Sequence, residues 1–213
     1  MQNQVFTITN KHRAAAGIIL DRVMQDYVPK NIVTVTGEVG TGKSTVSYLL
    51  AKYLKKREGV RAKIMDLDNY YKIPPINRKE WRLKNGIEKV GLEEYDWEKI
   101  YENIQDFKES KVARMPLVDM VTDYQDELIT DFNGVDILII KGLYSIKCKE
   151  SRLKVFIELS TKEASKFNTY EGVEEEDDFR LSVMAKEQSI VKQLKQDADF
   201  FVDFDSADEI YHL

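Results

Sequence analysis

Apolar and polar positions recur along this chain with two periods, and the switches between them mark out its elements. Ile32-Val33-Thr34-Val35-Thr36 is a β-branched run that reads as a buried strand. Val46, Leu49, Leu50, Tyr53 and Leu54 then recur at helical spacing, which predicts a helix over Lys43–Lys56 capped by Gly59. Upstream, Val5 to Thr9 alternates like a short edge strand, and Ala14 to Tyr27 groups Ile18, Ile19, Val23 and Met24 on one helical side. Ala62 to Met65, Val135 to Ile140, Lys154 to Glu158 and Ala198 to Phe204 read as further strands. Val135 to Ile140 is apolar on both faces, the mark of a central parallel strand. Thr161 to Phe167 and Asp178 to Leu194 read as helices, with a short one from about Ser206.

The rhythm breaks between Pro74 and Asp131. Pro74-Pro75 interrupts the chain. Trp97 to Phe107 predicts a helix with Trp97, Ile100, Ile104 and Phe107 on one stripe. Leu117–Val121 and Glu127–Thr130 predict a hairpin. Alternating strands and helices elsewhere predict a parallel sheet covered on both faces, with ligands at the carboxyl ends of its strands.

The candidate chemistry lies at one such end. Gly37-Glu38-Val39-Gly40-Thr41-Gly42-Lys43-Ser44-Thr45 fits the phosphate-loop pattern G-x-x-x-x-G-K-[ST] at every defined position. Chance coincidence in a chain of this length is on the order of one per cent, and the strand before it and helix after it are the context the motif needs. Glycines let backbone N–H groups turn inward onto phosphate oxygens. Lys43 is expected to reach the β- and γ-phosphates of ATP, and the Ser44 hydroxyl to ligate Mg²⁺.

Asp66 and Asp68 follow the second strand, on one side if the chain stays extended. One carboxylate there can accept a proton from a hydroxyl nucleophile and the other can hold Mg²⁺ through water. The competing reading is an Asx turn that closes the strand. His12 and His212 are isolated and read as structural or exposed; Trp81 and Trp97 read as core or pocket wall.

Composition narrows the class. A net charge of −5 speaks against non-specific binding to a nucleic-acid polymer. A lone cysteine, Cys148, excludes an intrachain disulfide and a thiolate zinc cluster. No apolar run approaches a membrane span, and Met1-Gln2-Asn3-Gln4 lacks the regions of a signal peptide, so a cytoplasmic enzyme is the expectation.

Beyond the phosphate loop, the order of motifs resembles the uridine kinase and phosphoribulokinase family of P-loop kinases. The matching stretches are Asp68-Asn69-Tyr70-Tyr71, Tyr95-Asp96-Trp97-Glu98, Pro116-Leu117-Val118-Asp119-Met120, Ile139-Ile140-Lys141-Gly142-Leu143 and Ala198-Asp199-Phe200-Phe201-Val202. They span roughly Val33 to Asp203. The resemblance implies that Asp68 is the general base, which leaves Asp66 as the carboxylate for the metal, with Tyr71, Tyr95, Asp96 and Asp119 on the acceptor side. It implies that Asp96 binds ribose hydroxyls and Tyr95 lines the base pocket. It also implies a cationic lid over about 162–186, where this chain offers Lys162, Lys166, Arg180 and Lys186 around the acidic run Glu174-Glu175-Glu176-Asp177-Asp178.

The chain departs from the family's pattern in three places. Val118 and Met120 replace aromatic residues, Asp123 stands where a histidine is expected, and Lys141 stands where the family carries a glutamate that helps hold Mg²⁺.

The fold expected is α/β: a P-loop NTPase-like three-layer sandwich over residues 1–213, with a mainly parallel sheet, an N-terminal helix at about 11–28 and a substrate-side hairpin and helix excursion at about 74–131. The function expected is transfer of the γ-phosphate of ATP to a small-molecule hydroxyl, foremost a nucleoside such as uridine. Alternatives are a sugar phosphate, a vitamin precursor or another small alcohol as acceptor, or a nucleotide-binding protein without catalysis. A homo-oligomer is compatible with the sequence.

Overall fold

The computed structural model describes residues 8–119, 122, 124–158 and 177–203. The expected strand before Thr9, the helix over Thr161–Phe167, Lys162, Lys166, Glu174–Glu176, Met120, Val121, Asp123, His212 and the segment from Ser206 lie outside those residues.

Five strands form one parallel sheet: β1 (Asn31–Gly37), β2 (Ala62–Asp66), β5 (Ile137–Lys141), β6 (Leu153–Glu158) and β7 (Phe200–Asp203), in the order β2-β5-β1-β6-β7. Helices α1 (Asn10–Gln25) and α2 (Lys43–Tyr53) cover one face; α4 (Trp97–Lys108) and α5 (Asp178–Leu194) cover the other. The strands sort their side chains by parity, as the pleat requires. Val33, Val35, Ile137, Ile139, Val155 and Ile157 pack toward α1 and α2, while Ile32, Leu138, Ile140 and Phe156 pack toward Ile104, Phe107 and Val191. Each such side chain contributes about 1.5–3 kcal/mol on burial, which is why the sheet is the rigid platform. The result is a three-layer α/β sandwich.

Local signals set the helix ends. Thr9 caps α1 through its side chain, and His12 returns the bond from its ring, so His12 is a buried structural residue. After α2 the chain makes one wider turn over Leu54–Glu58 and stops at Gly59, φ 69°.

Two expectations need correction. Pro74-Pro75 does not break the chain: Pro75 opens a helix, α3 (Pro75–Asn85), because a proline at the first helical position supplies the right φ and no hydrogen bond is lost. The hairpin is longer and earlier than its apolar run suggested, pairing β3 (Val112–Val118) with β4 (Gln125–Asp131). Its inward residues are Ala113 and Met115, hidden in the sequence between exposed neighbours that include Arg114. Pro116 is tolerated because the ribbon has only two strands and its outer edges carry no ladder.

Candidate active site

The carboxyl ends of β1, β2 and β5 meet at one edge of the sheet. β1 delivers the phosphate loop, in which Gly42 caps α2 in the left-handed region at φ 73°. Gly37 is required for a different reason: a Cβ there would lie 2.6 Å from the Ile157 carbonyl oxygen and 2.8 Å from Thr41 Oγ1. Thr41 Oγ1 donates to the Glu38 carbonyl at 2.9 Å and pins the turn. Thr36 Oγ1 lies 2.7 Å from Ser145 Oγ and accepts from the Ile146 N–H, which ties the loop's root to the turn after β5.

Lys43 is half-buried and folds over the loop. Its Nζ donates to the carbonyls of Gly37 at 2.9 Å and Glu38 at 2.6 Å. Burial pushes its ammonium down to about 8, with Lys141 adding to the effect and Asp68, Asp66 and Glu38 opposing it. Lys43 is thus a cation held on the loop and poised for an anionic partner.

β2 and β5 contribute the second half. Asp66 and Lys141 are register partners on adjacent parallel strands, and Lys141 Nζ lies 2.5 Å from Asp66 Oδ2. The other oxygen, Oδ1, accepts from the Asp68 N–H at 3.1 Å, so the Asx turn at the end of β2 is real. Asp68 Oδ2 lies 3.6 Å from the same ammonium, but its side chain is 55% exposed. Burial works to lower the pKa of Lys141, yet Asp68 and Asp66 outweigh it and the net direction is upward. Burial, then the Asp68 charge, pushes the Asp66 carboxyl up to about 6. Both partners are therefore ionised at neutral pH.

Lys141 is the last residue of β5 and is 7% exposed. Gly142 follows at φ 154°, and a Cβ there would sit 2.8 Å from Leu67 Cβ. The exits of β2 and β5 are packed against each other, and only glycine fits.

Magnesium takes hard oxygen donors, and the Ser44 hydroxyl and the carboxylates of Asp66 and Asp68 are of that kind. Both Asp66 oxygens already accept a hydrogen bond from the protein, however, and Lys141 brings a positive charge. Among the described residues no group of three or more His, Cys, Asp and Glu gathers to hold a metal. The fit is partial: Ser44 and Asp68 offer oxygens, whereas Asp66 is committed elsewhere.

The acceptor-side residues converge. Tyr71 bridges to Tyr95, their rings 4.2 Å apart, and the Asp96 N–H donates to the Tyr70 carbonyl. Burial raises the pKa of both phenols well above the ordinary value, so both stay neutral. Tyr95 is 0% exposed and backs Tyr71; it presents no open wall in this structure. Asp96 Oδ1 caps α4 by accepting from the Lys99 N–H at 3.0 Å. Asn69 Oδ1 accepts from the Val118 N–H at 3.1 Å, which brings Asp119, at the end of β3, to the Asp68 turn. Arg180 lies in the first turn of α5, its N–H donating to Asp177 Oδ1, and its charge reaches Glu187. Lys186 pairs with Glu88 at 2.6 Å on the surface, so it is engaged away from the loop.

Sequence reasoning missed two arginines, both in the helix it did not foresee. Arg82 is buried and joins Glu94 and Glu187. The Arg78 guanidinium lies 3.7 Å over the Tyr71 ring, with its buried Nε–H lacking an acceptor among the described residues. A proline pair followed by basic residues at helical spacing was the signal.

Known proteins resemble this chain in sequence and in fold. The sequence model of the phosphoribulokinase and uridine kinase family matches residues 32–162, more than half of the chain. This chain belongs to that family. Its match to the uridine kinase of Ureaplasma parvum is 29% identical over 133 residues, covering 60% of this chain and 61% of that enzyme. The match thus spans under two thirds of the curated relative's length. Among solved structures, a possible uridine kinase from Bacillus stearothermophilus superposes with a TM-score of 0.60 at 17% identity, covering 90% of this chain and 98% of that one. The D-glycerate 3-kinase of Cryptococcus neoformans gives 0.57 at 14%, covering 91% and 94%. Those two likenesses are likenesses of fold. Within the family match lie the phosphate loop, Asp68, Tyr71, Asp96, Asp119 and Lys141.

Proposed function

We propose that this chain transfers the γ-phosphate of ATP to a hydroxyl group of a small molecule, with the 5′-hydroxyl of a nucleoside such as uridine as the leading acceptor. One observation carries the reading: Asp68, an exposed carboxylate at the end of β2, is close enough for its charge to act on Lys43 of the phosphate loop. A proton acceptor and a phosphate-holding cation therefore face one region, which is what in-line phosphoryl transfer needs. In this reading the loop N–H groups and Lys43 hold the phosphates and Asp68 orients and deprotonates the acceptor. Tyr71, Asp96 and Asp119 set the acceptor's position, and Arg180 lies at the lid side. Magnesium, when bound at Ser44 and a carboxylate, supplies charge neutralisation to the phosphates. The catalysis left to the protein is placement and electrostatics.

A second acceptor class is favoured by Arg78. Its guanidinium sits on Tyr71 with a buried N–H that has no partner among the described residues, a donor suited to an anionic group such as a sugar phosphate or an acid. The test is incubation with γ-labelled ATP and a panel of nucleosides, sugar phosphates and small hydroxy acids. Label transferred to nucleosides supports the first reading, and label transferred to anionic acceptors the second. Tight ATP binding with no label transferred to any acceptor would remove the kinase reading.

A further inference from the structure

Lys141 brings a positive charge to a place where a magnesium site calls for a negative one. Its position is set by the backbone: Asp66 and Lys141 are opposite one another in the β2–β5 ladder. Gly142 against Leu67 closes the exits of both strands, so the pair cannot drift apart. Lys141 is 7% exposed, and its ammonium lies 2.5 Å from Asp66 and 3.6 Å from Asp68. Its charge also acts on Lys43. Two ammonium groups and two carboxylates thus share the edge of the sheet beside the phosphate loop. The charges balance without any metal, and one carboxylate has both oxygens engaged by the protein. A divalent cation entering there meets the Lys141 ammonium and finds Asp66 already engaged, while phosphate oxygens meet two ammonium groups with Asp68 as the one exposed carboxylate.

We propose that Lys141 is a protein-supplied counter-charge for the nucleotide phosphates, so that this chain binds ATP with little dependence on magnesium. The proposal rests on the nucleotide-binding reading above and deepens it. Asp66 acts in it as a positioning residue that keeps the ammonium at the sheet edge. Asp68 stays the exposed carboxylate, available to an acceptor.

The experiment measures the dissociation constant of ATP by calorimetry, with excess magnesium and with EDTA, on the whole chain. For the wild type the two values are expected to agree within about fivefold. Lys141→Met should weaken binding in EDTA by about tenfold or more while changing the magnesium value far less, and Lys141→Arg should restore the wild-type ratio. Thermal melting confirms that each variant is folded. Wild-type binding that collapses by about thirtyfold or more in EDTA overturns the proposal even if no variant folds. An unchanged EDTA-to-magnesium ratio in folded Lys141→Met overturns it too. A wild type that binds ATP in neither condition brings down the nucleotide reading itself, a result distinct from metal-dependent binding, which brings down only this inference.

Discussion

Arg82 Nε donates to Glu94 Oε1 at 2.6 Å inside the protein, and its Nη2 reaches Glu94 Oε2 and Glu187 Oε1, each at 3.0 Å. Three elements are tied by one guanidinium: α3, the turn before Tyr95, and α5. Arg82→Leu leaves two carboxylates buried without their cation. Destabilisation of about 3–5 kcal/mol is expected in urea unfolding. Replacing all three residues together by apolar ones should recover most of that loss. A single-variant loss below about 1 kcal/mol would show that the network relaxes into solvent.

Asp66 and Asp68 differ in exposure and in what they hold, so their variants should separate. Asp68→Asn keeps the shape and removes the proton acceptor; phosphate transfer should fall by about a hundredfold or more with ATP affinity nearly unchanged. Asp66→Asn removes the partner of Lys141 and should alter ATP affinity before it alters transfer. A silent Asp68→Asn beside a damaging Asp66→Asn reverses the two roles.

Lys43 predicts a pH dependence. Burial lowers its pKa to about 8 in the unliganded chain. Below that pH the ammonium is already formed and binding phosphates requires no proton uptake. Above it, binding must recharge the amine, so the ATP dissociation constant should rise by about tenfold per pH unit. An ordinary lysine shows no such rise until well above pH 10. Calorimetry between pH 7 and 9.5 decides it, and Lys43→Ala should bind weakly and without this slope.

Cys148 is fully buried, and burial pushes its thiol up to about 12. Alkylation needs the thiolate, so at pH 8 the folded protein should resist N-ethylmaleimide and react only after denaturation. Labelling of the native chain at the denatured rate would mean that the core around Cys148 opens readily.

The sequence alone determined the parts whose information is local. The phosphate loop is contiguous, so its glycines, Lys43 and Ser44 were legible as one motif, and β1 and α2 could be placed around it. Strong periodicity located α4 and α5, whose ends fall within a residue of the expected ones, because an apolar stripe must face a core. The β3–β4 hairpin and α3 were less legible, since a weak stripe and a proline pair leave the choice to tertiary contacts.

Tertiary structure decided what each charge does. Arg82 and Glu187 are 105 residues apart, and nothing local pairs them. Sequence showed that Lys141 was the wrong residue type for a metal ligand, but the β2–β5 register alone set it against Asp66. Asp96, expected to face a ligand, also caps α4 through one of its oxygens, and Tyr95, expected to line a pocket, is buried in this structure. The physical reason is common to all four: a side chain's role depends on which neighbours remove it from water. Those neighbours come from strand order and helix packing, which no stretch of adjacent residues encodes.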